Sequence, residues 1–333
     1  MILQAPSETL PSTEEAVTWA YRLLLGREPE NAQALADHIQ ESPNLAILRD
    51  RFMQSAEFTS KLPGSVRFPL RGMEPNCRID CDGDPVQLGK LFAHVNRSWH
   101  MLGDEDPFYS VRSAPEYRGA PPEEVIRDFF LSGVSDAQRF FGTLDRNGLN
   151  LDKRSTCLEF GCGLGRVTQA LAPRFAKTVA VDISASHLAL ARSFAEQASI
   201  AGIDWRQLAS IEDLDRLPRV DVIYSIIVLQ HNPPPVIDRI VATFARILKP
   251  GGIAYFQVPT YVRGYSFDLG EYLDSKIGIP GMEMHVYPQD RVFRRFAEHN
   301  AIPVSVVEDD ATAMHAFGRS NTFLFVKAGT VAE

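Results

Sequence analysis

The chain of 333 residues has only four cysteines, three tryptophans and no run of about 20 apolar residues. Each scarcity excludes a class. Cys77, Cys81, Cys157 and Cys162 are too few for a disulfide scaffold. Cys157 and Cys162 also fall in an apolar strand and its turn, where a free buried thiol is expected. Cys77 and Cys81 alone cannot fill a tetrahedral zinc site, and no second Cys or His pair stands at zinc spacing, so no metal is expected. Without a long apolar run there is no membrane span. Met1 to Ser7 lacks a basic stretch followed by an apolar one, so no signal peptide is expected and the cytoplasm is the expected location. Positive charge is also short: 34 Lys and Arg against 42 Asp and Glu give a formal net charge of −8. Such a surface repels phosphate backbones and disfavours a nucleic-acid substrate. What is present is ordinary for a globular protein, with 45% hydrophobic and 23% charged residues in a length suited to two domains.

Three regions differ in pattern. Residues 1–62 read as a small helical domain. Val17, Ala20, Tyr21 and Leu24 recur at helical spacing and Gly26 stops that helix. A second helix is expected from Asn31 to Gln40, and a third after Ser42-Pro43-Asn44. Residues 63–120 are rich in Pro, Gly and Arg, as in Leu62-Pro63-Gly64, Gly72-Met73-Glu74-Pro75 and Gly83-Asp84-Pro85. They read as a linker, a helix from Val86 to His100, and a lid. Residues 121–333 alternate helix and strand. Helices at 122–131 and 135–148 precede strand 156–160, helix 165–174, strand 177–182, helix 185–198, strands 203–208 and 220–228, helix 234–247, strand 252–258, helix 287–299, and strands 303–308 and 321–327. Alternating units imply an α/β fold with a mostly parallel sheet covered on both faces. The last two strands have no helix between them, which predicts an antiparallel C-terminal hairpin.

The chemistry concentrates where Thr156-Cys157-Leu158-Glu159-Phe160 runs into Gly161-Cys162-Gly163-Leu164-Gly165. Alternate glycines let the backbone turn tightly and approach a ligand. A helix beginning near Arg166 would present N–H groups and positive potential. The spacing is G-x-G-x-G, whereas a dinucleotide loop needs G-x-G-x-x-G, and Glu159 stands two places before the first glycine. Seventeen residues past Gly165, strand 177–182 ends in Asp182, where an acid can accept ribose hydroxyls. Leu208 to Asp213 follows the third strand. Asp221 to Val228 leads into Leu229-Gln230-His231, and Leu248-Lys249-Pro250-Gly251-Gly252 precedes the fifth strand.

In this order and spacing the segment resembles the class I, Rossmann-like methyltransferases that use S-adenosylmethionine (SAM). The resemblance implies a SAM site built from Glu159, Gly161, Cys162, Gly163, Gly165 and Arg166. In it Glu159 orients the amino end of the ligand, Asp182 clamps the ribose, Ile183 packs on the adenine, and Ser210, Ile211 and Ile227 add contacts. The block from Trp99 to Val111 resembles a segment preceding this motif in a group of bacterial methyltransferases, which implies that Tyr109 folds over the cofactor. The run Tyr21 to Pro29, closed by Ser55-Ala56-Glu57-Phe58, resembles a bacterial helical domain of unknown function found beside glycan-modifying enzymes. It implies docking or self-association, or a stabilising cap.

For the acceptor side, His231 follows the fourth strand directly and His285 lies in the long segment before helix 287–299. Either is a candidate base for a hydroxyl acceptor or a pocket wall, with Gln230 beside them. Asn232-Pro233-Pro234-Pro235 reads as an N-cap followed by first-turn prolines. The remaining histidines, His38, His94, His100, His187, His299 and His315, read as surface or packing residues. The expected activity is methyl transfer to a small-molecule or glycan-linked acceptor, more at oxygen than nitrogen. The alternatives are a non-catalytic SAM-binding scaffold and an NAD-dependent oxidoreductase.

Overall fold

A computed structural model of the chain describes residues 10–55, 57–58, 74–309 and 318–329. The N-terminal seven residues, Ala56, Leu62-Pro63-Gly64, Gly72-Met73 and His315 lie outside the described residues. The chain divides into two compact units, with the boundary at Met73 and Glu74.

The first unit holds helices α1 (Glu14–Ala20), α2 (Ala32–Glu41) and α3 (Leu45–Gln54). Thr13, Asn31 and Asn44 cap them, each side chain accepting from a backbone N–H three residues on. Between α1 and the stop at Gly26, which has φ +66°, one π-turn spans Tyr21–Leu25, an element no periodicity announced. It keeps Tyr21 and Leu25 in one small core with Val17, Leu48, Phe52 and Phe58. The conspicuous motif residues meet there. Arg27 donates to both carboxylate oxygens of Glu57, at 2.7 and 2.6 Å, and stacks 4.7 Å above the Tyr21 ring.

In the second unit a seven-stranded sheet runs in the order β4-β3-β2-β5-β6-β9-β8. Its strands are β2 (Thr156–Phe160), β3 (Lys177–Asp182), β4 (Ile203–Gln207), β5 (Val220–Ser225), β6 (Leu248–Val262), β8 (Ala301–Asp309) and β9 (Gly318–Lys327). The first five in spatial order are parallel. β9 is antiparallel to both β6 and β8, so the expected C-terminal hairpin is present and its last strand inserts beside β6. A two-stranded parallel ribbon joins β1 (Arg78–Ile79) to β7 (Ser266–Phe267).

Alternation along each strand feeds two cores. Leu158, Phe160, Ile223 and Phe256 face one side with Phe244 of α9 (Pro234–Ile247) and Phe296 of α11 (Gln289–Ala297). Cys157, Val222, Tyr224 and Tyr255 face the other with Phe140 and Leu144 of α6 (Glu123–Arg146). Phe296 and Phe325 stack 4.0 Å apart.

Several boundaries differ from the expectation. The two helices expected at 122–131 and 135–148 are one, α6, because nothing between them breaks the ladder and Gly133 is tolerated where α6 crosses Arg166: a Cβ there would lie 2.0 Å from the Arg166 carbonyl oxygen. The helix expected at 165–174 reduces to α7 (Thr168–Leu171) and a 3-10 turn, so it has too few aligned peptides for much of a macrodipole. The stretch Tyr261 to Met284 is more ordered than its composition suggests, since β6 continues to Val262 and α10 (Leu269–Ser275) follows β7. Asn232 does not cap α9. That role falls to Pro233, and the Asn232 amide donates back to the Val228 carbonyl at 3.1 Å. α4 (Pro85–Glu105) starts with the capping box of Asp84 and Gln87 and runs a turn past its expected end, followed by α5 (Pro107–Val111).

Candidate active site at the carboxyl ends of the strands

The turn after β2 is held by backbone. Gly161 and Cys162 both donate to the Val181 carbonyl, at 2.8 and 3.0 Å. Gly163 donates to Asp182 Oδ2 at 2.7 Å, while Asp182 Oδ1 accepts from Ser184 at 2.9 Å. Asp182 therefore ties the turn to the end of β3, and each oxygen keeps a second acceptor direction. Gly161 and Gly163 have φ of +76° and +52°, where a side chain is strained, and a Cβ on Gly161 would sit 2.4 Å from the Val228 methyls.

Glu159 is 4% exposed, and its Oε2 has no hydrogen-bond partner. Burial is the main force on this carboxyl and lifts it from 4.5 to about 8 against the neighbouring Thr168 hydroxyl and the charge of Arg166. Arg166 itself is paired with Asp136 at 2.6 Å. A second orphan, Gln230 Oε1, is buried at the end of β5, the strand paired to β2. Gln230 Oε1 is an acceptor, and the Glu159 carboxyl is acceptor-only once ionised. Ile227 has φ +59° and is 42% exposed, a rare state for a β-branched residue, and its N–H donates to Gln257 at 2.9 Å.

α4 and α5 cover this edge. Asn96 donates to the Leu208 carbonyl at 3.4 Å, and Gln207 donates to His100 Nε2 at 3.3 Å. Gly103 lets α4 approach closely, for a Cβ there would lie 2.6 Å from Ser184 Oγ. His187, 1% exposed, lies 2.9 Å from Ser110 Oγ. Val111 is the α5 side chain nearest Gly163. The Tyr109 ring instead lies under the Arg118 guanidinium, at 3.9 Å, and its hydroxyl accepts from Arg118 at 2.7 Å.

On the acceptor side, His231 Nδ1 donates to the Glu283 carbonyl at 2.8 Å, so a neutral ring keeps Nε2 as acceptor, 3.4 Å from the Gln230 amide. Burial, reinforced by His285, pushes this imidazole down to about 4. The Trp99 ring meets it edge-on at 5.2 Å. His285 is 6% exposed. Its Nε2 lies 2.9 Å from Glu283 Oε2 and its Nδ1 2.9 Å from the Tyr265 hydroxyl.

Residues 157–252 match the family described as "Methyltransferase domain". They form a methyltransferase domain. The chain is 28% identical over 174 residues to the ubiquinone biosynthesis O-methyltransferase of Idiomarina loihiensis, covering 52% of this chain and 60% of that protein. It is 32% identical over 170 residues to the protein of the same name from Bradyrhizobium sp. strain ORS 278, covering 51% and 60%. The chain thus spans less than two thirds of the length of these relatives. Among the described residues, no helix is long and apolar enough to cross a membrane.

Within the methyltransferase domain, the structure brings Glu159, Gly161, Cys162, Gly163, Gly165, Arg166 and Asp182 to one turn, and Ile227, Gln230 and His231 to the end of β5. Ile183 packs on the sheet core, half-buried, and Ile211 is buried in that core. Ser210 is placed by its N–H, which donates to Asp213 Oδ2 at 2.9 Å. No sequence motif points to Glu283, Tyr265 or Tyr272, and His94, His100 and His187 read from the sequence as surface or packing residues. His94 and His187 are in fact buried and hydrogen-bonded near the site. No spacing rule links residues 94, 265, 272 and 283, so only the fold reveals them.

Proposed function

We propose that this chain binds SAM at the turn after β2 and transfers its methyl group to a hydroxyl of a small-molecule or glycan-linked acceptor. The observation that carries the reading is Glu159 Oε2, a buried carboxyl oxygen with no partner beside a turn of three glycines. A buried acceptor in that state costs free energy until a donor reaches it. An α-ammonium group carries three donors and a positive charge, and Gln230 Oε1 offers a second acceptor in the turn that follows β5. Asp182, with one acceptor direction left on each oxygen, suits a ribose diol. Tyr109, Ile183, Ser210, Ile211 and Ile227 complete the reading as walls of the same cleft.

When bound, SAM supplies an electrophilic methyl on sulfonium sulfur. The residues of the chain then position the acceptor, exclude water and take its proton. His231, pushed down to about 4, is too weak a base to do that well near neutral pH. It is better suited to lining the pocket, which leaves His285 as the imidazole available. The O-methyltransferase names of the two relatives support a hydroxyl acceptor. The glycan preference and a docking or self-association role for residues 1–62 rest on the resemblance of the helical domain. Four free thiols, three of them buried, suit the reducing cytoplasm.

The test is calorimetric titration of SAM, S-adenosylhomocysteine and NAD into the wild type, Glu159→Gln and Asp182→Asn. Micromolar binding of the sulfur ligands, weakened in both variants and absent for NAD, supports the reading. Binding of NAD alone overturns it in favour of an oxidoreductase. Binding of SAM with no methylation across a panel of phenols and methyl glycosides favours the scaffold alternative.

A further inference from the structure

Glu283 is the centre of a polar cluster that no motif announces. Its Oε2 accepts from the Tyr272 hydroxyl at 2.7 Å and faces His285 Nε2 at 2.9 Å, while Oε1 faces His94 Nε2 at 3.4 Å. The contributors come from α4, from the turn between β6 and β7, from α10 and from the segment before α11. Burial pushes the Glu283 carboxyl up, but hydrogen bonds from His285 and Tyr272 prevail and hold it down at about 2. It is therefore a carboxylate and can only accept.

That fixes the neighbouring protons. The His285 proton must sit on Nε2, facing Glu283. In the neutral ring Nδ1 is then a lone pair, and the Tyr265 hydroxyl, 2.9 Å away, donates to it. The His285 backbone N–H donates to the Gln230 carbonyl at 2.7 Å, and Phe267 meets the ring edge-on at 5.5 Å, so the imidazole is fixed in place and orientation. Both ring nitrogens are used inside the cluster, and the ring is only 6% exposed. Tyr265, by contrast, is only partly buried, and its oxygen, which the Val286 N–H also faces, keeps one acceptor direction.

We propose that Tyr265 is the catalytic residue that takes the proton of the acceptor hydroxyl, and that His285 and Glu283 are positioning residues that make it able to do so. The proposal rests on the hydroxyl-methylating reading above. As the acceptor oxygen bonds to the methyl carbon, the carbon–sulfur bond breaks and its electron pair stays on sulfur. The acceptor proton passes to the Tyr265 oxygen, and the proton of Tyr265 passes to His285 Nδ1. The resulting imidazolium is held by the Glu283 carboxylate. The arrangement repeats the logic of a carboxylate–imidazole–hydroxyl triad, in which the carboxylate selects the tautomer. Burial raises the Tyr265 phenol, so it does not ionise alone, and the two proton transfers belong to one event. Besides Glu283 and His285, the titratable groups facing the relay are Tyr272, His94, His231, Cys81 and Cys77.

The test needs no acceptor. A small arylsulfonyl fluoride reacts with an activated phenol: the oxygen bonds to sulfur, fluoride leaves, and the phenol proton goes to the adjacent base. Full-length protein is labelled and its peptides are read by mass spectrometry, with Tyr265→Phe as the control for assignment. Tyr265 is expected to react faster than the other eight of the nine tyrosines. It should react about tenfold or more slower in His285→Gln and in the isosteric Glu283→Gln, as expected for removing a general base. Melting curves establish that each variant is folded. An unchanged Tyr265 rate in both variants overturns the relay, as does an unlabelled Tyr265 while other tyrosines react. Calorimetry with S-adenosylhomocysteine on the same samples judges the cofactor reading separately, so the failure of one is not mistaken for failure of the other.

Discussion

Glu159 makes the binding of an ammonium-bearing ligand pH-dependent in a defined direction. With its carboxyl raised to about 8 in the free protein, the ionised fraction is about 1% at pH 6, about 10% at pH 7 and about half at pH 8. An ammonium group pairs only with the ionised form, so the apparent affinity is scaled by that fraction. The dissociation constant of S-adenosylhomocysteine should fall about tenfold from pH 6 to 7 and roughly fivefold more from 7 to 8. At higher pH still, the ligand's own α-amino group loses charge and the affinity should decline again. Binding at pH 7 should release about 0.9 proton from the protein. Calorimetry in two buffers of different ionisation heat counts that proton directly. The same shift has a cost in stability. A carboxyl raised above its unfolded value stabilises the fold below pH 4.5, and that contribution is lost as pH rises through 8. The gap between 4.5 and about 8 corresponds to roughly 5 kcal/mol at alkaline pH. Glu159→Gln should therefore raise the melting temperature at pH 8 while weakening the ligand by about tenfold or more and flattening its pH profile. An affinity constant from pH 6 to 8 in the wild type, with no proton released, would refute the reasoning.

Gly133→Ala should destabilise the protein by about 1–3 kcal/mol in thermal or urea unfolding, because the new Cβ meets backbone at 2.0 Å and overpacking outweighs the gain in helix propensity of about 1 kcal/mol. A more stable variant would mean that α6 does not cross Arg166 this closely. His231 is pushed down to about 4, so the unfolded chain takes up a proton that the native ring refuses and stability falls as pH drops from about 6.5 toward 4. His231→Gln should lose less stability than the wild type over that interval in denaturant titrations, and parallel losses would exclude a buried neutral ring.

The sequence by itself determined the parts of this protein that depend on neighbours along the chain. Alternation in Cys157 to Phe160 and Val220 to Ser225 specified strands buried on both faces, because successive side chains point to opposite sides. The glycines at 161, 163 and 165 specified a tight turn, because all three adopt φ values that other residues resist. Asp182 was legible as the end of the next strand, and Gly26 as a helix stop. Helix lengths were less legible. The continuity of α6 follows from the absence of a break around Gly133, where the helix crosses Arg166, and that close crossing is a tertiary fact. What only the tertiary structure decided are the relations between distant residues. The orphaned state of Glu159 depends on how completely the surrounding elements bury it. The weakness of His231 as a base depends on its burial, which outweighs the opposing pull of the Glu283 carbonyl, 52 residues away. The pairing of Tyr265, Glu283 and His285 arises because the segment after β6 folds back against the end of β5, where the His285 N–H finds the Gln230 carbonyl. Hydrogen bonds and burial are properties of proximity in space, and a linear sequence records proximity only where the chain itself supplies it.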